Sequence, residues 1–259
     1  MSDTGTVIGA REGSLAILTL SYPERRNALS LALREVLFDE MQHAMADESV
    51  RVIIVTGEGG NFCSGGDISS FEGVTPASGR VRMQRIHRVV RLMINGPKPV
   101  IAAVEGHAVG AGLCVAAACD IVVAARNARL SCTFNRIGLL PDFGGMWTLP
   151  LRMGVGRAKM MMMSGRTIDG EAGERVGLVD LVSEPGAALE DAKALARDIA
   201  KGAPLSNEFV KAAMARGPAS LEAMLAIEAD AQGVLYGTED LQEGRQAFLA
   251  KRPPEFKGK

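Results

Sequence analysis

The segment Arg136–Gly145 reads RIGLLPDFGG and sets one carboxylate, Asp142, between a proline and a phenylalanine in otherwise apolar company. An acid in such surroundings is costly to bury unless it is paired or used. Desolvation also raises its pKa and makes it a better base, so the segment suits a group that moves a proton to and from carbon. Two glycine-containing segments offer complementary chemistry. In FCSGGDI (Phe62–Ile68) the glycines permit close approach of a ligand to main-chain N–H groups, although the same residues also make a tight turn after a strand. In GHAVGAGLCVAAACD (Gly106–Asp120) a buried strand runs into Gly110, Ala111 and Gly112 and then into a helix-compatible apolar stretch. A helix start of this kind leaves free N–H donors at a positive dipole end. The segment is neither a GxxxxGK[ST] phosphate loop nor a GxGxxG fingerprint. Two small-residue loops, each contributing one N–H, satisfy the needs of an oxyanion hole for a developing enolate or tetrahedral oxyanion.

These loops need a scaffold, and the chain's periodicity supplies one. LAILTL (Leu15–Leu20) and VRVIIVTG (Val50–Gly57) read as strands, the second buried on both faces, and VIAAVEG and CDIVVAA read as two more. Between the first two, SLALREVLFDEMQHAM shows helical spacing at Leu31, Arg34/Glu35 and Phe38, with Ser30 as N-cap. A further helix is expected from about Arg80 to Ile94. Alternation of strand and helix predicts an α/β fold with mostly parallel pairing. From Gly156 onward the sequence is helix-prone, interrupted only by LVDLV, and no low-complexity linker marks an independent second domain. The methionine run in KMMMM (Lys159–Met163) reads as one helix's core packing.

The segment KPVIAAVEGHAVGAGLCVAAACDIVVAA resembles the signature of the crotonase superfamily, the enoyl-CoA hydratase/isomerase fold. NFCSGGDI is similar to its first oxyanion loop, ERRNALS to its N-terminal CoA-proximal motif, and TEDLQEGRQAFLAKRPPEFKG to its C-terminal tail, so the resemblance spans Leu15 to Gly258. It implies a spiral of ββα units over residues 1–195 and a C-terminal helical trimerisation region over 196–259. It also implies an acyl-CoA thioester substrate, no cofactor beyond the coenzyme A that carries the substrate, and assembly as a homotrimer or hexamer. By position it makes the backbone N–H groups of Ser64 and Ala111 the oxyanion donors. Arg26, Ala28, Asp67 and Ile68 match positions lining the CoA moiety, and Gly65, Gly66 and Gly110 shape the two loops. Phe134 and Trp147 would line the acyl pocket and, with Leu140 and Phe143, desolvate Asp142.

One departure decides which reaction is expected. Hydratases of the superfamily carry two glutamates, and here those positions hold Cys114 and Phe134. A buried thiol is a poor proton shuttle and a phenyl ring can only pack. The turn IGLLPDFGGMWTLP resembles that of the phenylacetate-pathway ring-epoxide isomerases and the Δ3,Δ2-enoyl-CoA isomerases, whose single acid stands where Asp142 does. The resemblance therefore implies an acyl-CoA double-bond isomerase with Asp142 as the one acid/base. Two other readings stay open: lyase or dehalogenase chemistry with Asp142 as nucleophile, and an inert CoA-ester scaffold. Asp120, Glu105 and His107 are expected to be structural, and Glu72 lies in a segment that could cover the pocket.

Composition narrows the field. A net charge of −1 and 4% aromatic residues provide neither the basic field nor the stacking surface that nucleic acid requires. No uncharged apolar run is long enough for a membrane span, and the first residues lack the apolar core of a signal peptide. Cys63, Cys114, Cys119 and Cys132 form no CxxC pair, so reduced thiols, a cytoplasmic location and no metal are expected.

Overall fold

A computed structural model describes residues 5–215, 217 and 220–259. The chain begins with strand β1 (Thr6–Glu12), which sequence periodicity did not reveal, followed by β2 (Leu15–Ser21), α1 (Leu31–Ala46), β3 (Val52–Gly57) and α2 (Pro76–Asn95). Next come β4 (Val100–Val104), β5 (His107–Val109), α3 (Ala111–Ala118), β6 (Ile121–Ala125) and β7 (Arg129–Ser131). Then follow α4 (Gly145–Met153), α5 (Val155–Ser164), β8 (Thr167–Ile168), α6 (Gly170–Arg175) and β9 (Leu181–Ser183). Four helices complete it: α7 (Ala188–Ala200), α8 (Pro204–Met214), α9 (Leu221–Leu235) and α10 (Glu239–Ala250).

The main sheet has the order β1-β2-β3-β4-β6-β9; β1 is antiparallel to β2 and every later pair is parallel. A smaller sheet, β5-β7-β8, lies beside it. Each turn of the chain lays one strand in the main sheet, a shorter extended piece in the second layer, and then a helix. This holds for β4-β5-α3, and for β3, Cys63 (bridged to Ala108) and α2. The first turn follows suit, with β2, Leu29 (bridged to Gly66) and α1. This is the expected spiral of ββα units. The parallel strands read as continuous Val/Ile/Ala runs because both faces are covered. One face packs on α7 through Ala188, Ala192 and Ala196, a stripe of small residues that brings the helix close to Ile54 and Ile101. The other face carries the larger core, with Leu33, Leu37 and Met41 of α1 and Met93 of α2.

Several expectations need correction. Ser30 does cap α1, its hydroxyl accepting from the Leu33 N–H at 3.1 Å. The buried face of α1, however, runs through Leu33, Arg34, Leu37 and Met41, whereas Leu31 is half exposed. α2 begins at Pro76, four residues before Arg80, because Thr75 and Ser78 form a reciprocal capping box ahead of it. α7 runs through position 195 and belongs under the sheet, so the change to outlying helices falls after it, at α8. In the methionine run Met161 is buried in the core and Met162 packs against it, whereas Met160 and Met163 face outward.

Asp120 is structural, as expected. One carboxylate oxygen accepts from the Val100 N–H at 2.7 Å and from Lys211 Nζ at 2.6 Å, and the same ammonium donates to the carbonyls of Met93 and Lys98. This ion pair, its ammonium buried and its carboxylate partly exposed, ties α8 to the start of β4. Removing the carboxylate leaves the buried ammonium without its counter-ion, so Asp120→Ala is expected to lower unfolding free energy by about 3 kcal/mol in urea titration. A loss below about 0.5 kcal/mol would mean the pair is solvated, as exposed pairs are. Glu105 is also structural, its Oε1 accepting from the Gly186 and Ala188 N–H groups ahead of α7.

Candidate active site

The loop after β3 and the loop before α3 are tied together by main-chain bonds: Cys63 N–H donates to His107 O at 2.7 Å and Val109 N–H to Cys63 O at 3.0 Å. On the other side the first loop runs beside Leu29, whose N–H donates to Gly65 O and whose carbonyl accepts from Asp67 N–H. In an extended chain successive N–H groups point to opposite sides. With residues 65 and 67 bonded to Leu29, the Gly66 N–H points the other way, and it has no acceptor among the described residues. The Ala111 N–H opens α3 and likewise has no acceptor, because the first N–H groups of a helix lack an intrahelical partner. Gly110 makes this possible. Its φ of 55° with ψ of −119° is a conformation closed to other residues, and it turns the chain from β5 into the helix.

The family resemblance implies Ser64 as the first donor, and the structure corrects this. The Ser64 N–H donates to Arg26 O at 2.9 Å and its hydroxyl to Arg25 O at 2.7 Å, so the donor free on this loop is that of Gly66. Arg26 therefore stands against the glycine loop through its carbonyl. Arg26 is left-handed at φ 48° and Asn27 beside it at φ 59°. Asn27 was not singled out from sequence. Its buried amide accepts from the Tyr22 N–H and donates to the carbonyls of Glu58 and Asn61, fixing the turn on which the loop rests.

Gly66, Ala111 and Asp142 line one cavity of about 350 Å³. Gly65, Gly110, Ile68, Phe71 and Phe134 share its wall, and among the described lining residues Asp142 is the only carboxylate. Its Oδ1 is shut off from solvent with no hydrogen-bond partner. Burial pushes the Asp142 carboxyl up to about 6, against the opposing pull of the Arg34 charge. The turn that presents it is strained: Phe143, fully buried, has φ 46° and Gly144 follows at φ 77°. A non-glycine residue held left-handed costs on the order of 1 kcal/mol and clusters at functional sites. Cys114 and Phe134 do not supply a second acid. Cys114 is fully buried, its thiol held far above the ordinary range by its bond with the Cys132 thiol and by burial.

Not every expected wall residue is present. Trp147 stands in α4 and is half exposed in a shallow groove with Ile94, Leu151 and Met214, away from the Asp142 cavity. The helix that starts at Gly145 carries residue 147 round to the other side. Leu140 is 73% exposed, so Phe134 and Phe143 are the rings that desolvate Asp142. Asp67 caps the short helical turn Ile68–Phe71 through the Ser69 N–H rather than reaching the cavity. His107 is held by Asn61 Oδ1 at 2.7 Å, and Glu72 is absent from the wall.

Gly65 carries φ 113°, and a Cβ there would lie 3.0 Å from Val109 O and 3.8 Å from Ala111 N. Gly65→Ala is therefore expected to strain the backbone and push the two donor loops apart. Turnover should fall at least about tenfold with the fold intact by circular dichroism. Wild-type turnover in this variant would show that the spacing of the loops is not limiting.

The sequence profile described as "Enoyl-CoA hydratase/isomerase" matches residues 10–259. The chain belongs to the enoyl-CoA hydratase/isomerase family. A Rhodobacter capsulatus member, "Probable enoyl-CoA hydratase", is 39% identical over 249 residues, which cover 95% of each chain. The Escherichia coli "1,2-epoxyphenylacetyl-CoA isomerase" is 34% identical over 253 residues, covering 96% of this chain and 97% of that one. The crystal structure of an enoyl-CoA hydratase from Bacillus anthracis superposes with a TM-score of 0.93 at 32% identity, covering 98% and 100%. Hydratases and an isomerase thus both stand among the relatives of this enoyl-CoA hydratase/isomerase family member, and the residues around Asp142 must separate them.

Among the described residues no group of three or more His, Cys, Asp and Glu is placed to hold a metal, and no helix is long and apolar enough to cross a membrane.

Proposed function

We propose that the protein is an acyl-CoA double-bond isomerase in which Asp142 is the single acid/base. One observation carries this reading: a lone, desolvated carboxylate with an unsatisfied oxygen shares a cavity with the uncommitted N–H groups of Gly66 and Ala111. A thioester carbonyl oxygen placed on the two N–H groups becomes more negative as the α-carbon loses its proton, and fixed donors stabilise that charge without reorganising. Ionised Asp142 takes the proton from the α-carbon of a 3-enoyl thioester. The C–H electron pair moves into the chain as a dienolate, with the negative charge on the thioester oxygen. The now neutral Asp142 returns the proton to the γ-carbon, the electrons shift back, and the double bond lies between the α- and β-carbons. One carboxylate suffices because no water is added. Hydration would need a second group to activate water, and Cys114 and Phe134 provide none.

Coenzyme A carries the substrate, and the reading needs no other cofactor. A reducing, cytoplasmic setting is proposed on the four unpaired, buried cysteines. Assembly as a homotrimer or hexamer is proposed on the outlying helices, where Leu221, Tyr236, Phe248 and Leu249 are each at least 70% exposed.

The acidic limb of the pH profile tests the base. Asp142 acts only when ionised, and its folded pKa is about 6. The logarithm of kcat/KM should therefore bend near pH 6, with about tenfold loss per pH unit below it. A profile flat down to pH 4.5, roughly the ordinary carboxylate range, would remove Asp142 as the base.

A further inference from the structure

A second cavity, of about 380 Å³, lies between α1 and α2, and its wall is largely apolar, with Leu31, Val81 and Val89 among the lining residues. Yet three guanidinium groups, those of Arg34, Arg82 and Arg85, also line it. The one carboxylate on its wall, Glu35, is already paired with Arg88. Cationic groups in apolar surroundings are stable only when an anion answers them.

Arg34 is the most exacting of the three. It is 6% exposed, its Nε donates to Leu29 O at 2.9 Å, and its Nη1 is shut away with no partner. Its charge is felt by Asp142, but no hydrogen bond or ion pair joins the two, and Asp142 has its own unsatisfied oxygen. Arg82 donates to the Ser70 carbonyl at 2.9 Å and hydroxyl at 2.7 Å and lies over the Phe71 ring, which leaves further N–H groups unspent.

The two cavities share a partition. Arg34 lines the second cavity, while its Nη2 lies 3.1 Å from where a Cβ on Gly66 would stand. Ser70 lines the second cavity and its neighbour Phe71 the first. An apolar space with guanidinium groups in its wall thus lies directly across this partition from Gly66 and Ala111.

We infer that the second cavity receives the far end of the acyl chain and that this end bears a carboxylate, so the preferred substrate is the monothioester of a dicarboxylic acid. The inference rests on the thioester-binding reading above. A methylene chain matches the apolar wall, and a planar carboxylate matches the unspent guanidinium donors of Arg82 and Arg85. The phosphates of coenzyme A are the other anions available. They are compact, strongly hydrated groups suited to an open surface, whereas the wall of this cavity is largely apolar.

Calorimetric titration of the intact protein with saturated thioesters tests this independently of catalysis, since these ligands have no double bond to move. Glutaryl-, adipyl- and suberyl-CoA are compared with valeryl-, hexanoyl- and octanoyl-CoA. The best dicarboxylic thioester should bind at least about tenfold more tightly than its unsubstituted counterpart, the worth of a charge-assisted hydrogen bond. Arg82→Met should bring that ratio to within about threefold of unity. Arg85→Met, at an exposed position that places no burden on folding, should lower it in the same direction. Equal affinities for the two series in the wild-type protein would overturn the inference. So would a variant in which free coenzyme A weakens as much as the dicarboxylic thioester, because the arginines would then serve the phosphates. Either failure leaves the isomerase reading standing, and an inactive protein that still discriminates between the two series leaves this inference standing.

Discussion

Replacing Asp142 by asparagine is expected to lower kcat for 3-enoyl-CoA isomerisation by about 10²–10⁴-fold, the range for loss of a general acid/base. Affinity for a CoA thioester should change little, since the amide keeps the size of the carboxyl and the donors of Gly66 and Ala111 remain. The substitution should also stabilise the fold at neutral pH. The folded-state pKa of Asp142 is raised from 3.8 to about 6, so the fold favours the protonated form and loses stability as pH rises through that window. Asparagine cannot ionise and escapes the loss. The variant should therefore exceed wild type by on the order of 3 kcal/mol well above pH 6 and match it below pH 4. Gain of stability together with loss of turnover separates a catalytic residue from a structural one. An Asp142→Asn protein that keeps most of its turnover would remove the acid from the mechanism.

The second large effect is expected from Ala111→Pro. Ala111 is the first residue of α3, where proline's fixed φ is tolerated and no intrahelical bond depends on the N–H. The substitution deletes one donor and fills part of its space. Loss of a single oxyanion donor costs about 10²–10³-fold in kcat. The expected result is a folded protein, by circular dichroism and thermal unfolding, that retains Asp142 and has lost turnover by that factor. Turnover within about threefold of wild type would show that the oxyanion does not sit at the start of α3.

Much of this was legible in the sequence because it depends on local chemistry. The strands β2, β3, β4 and β6 announced themselves as apolar runs bounded by glycine or charge, and Ser30 as a cap. The turn holding Asp142 stood out because a lone acid contradicted its neighbours. β1 did not stand out: only Val7 of its residues is buried, so no apolar pattern marks it and its pairing with β2 defines it. The N–H left free on the first loop is that of Gly66, two residues beyond Ser64. Which N–H faces the cavity depends on the register of the loop against Leu29, a contact across 37 residues that composition does not record. Trp147 was assigned to the pocket by proximity in sequence to Asp142, and the intervening start of α4 turns it away. Arg34 was read as part of a helical face, although the sequence held a signal. It lies on the stripe with Ser30, Leu37 and Met41, where a cation has to find a reason to be buried.

On the proposed reading, one carboxylate with no partner to activate water makes this family member an isomerase. The most direct measurement sets two reactions of one purified preparation side by side: isomerisation of a 3-enoyl-CoA and hydration of crotonyl-CoA, each as kcat/KM. Isomerisation is expected to be faster by about 10²-fold or more, because hydration lacks its second acid. Hydration equal to or faster than isomerisation would contradict this reading, since Asp142 would then position and activate water without help from positions 114 and 134.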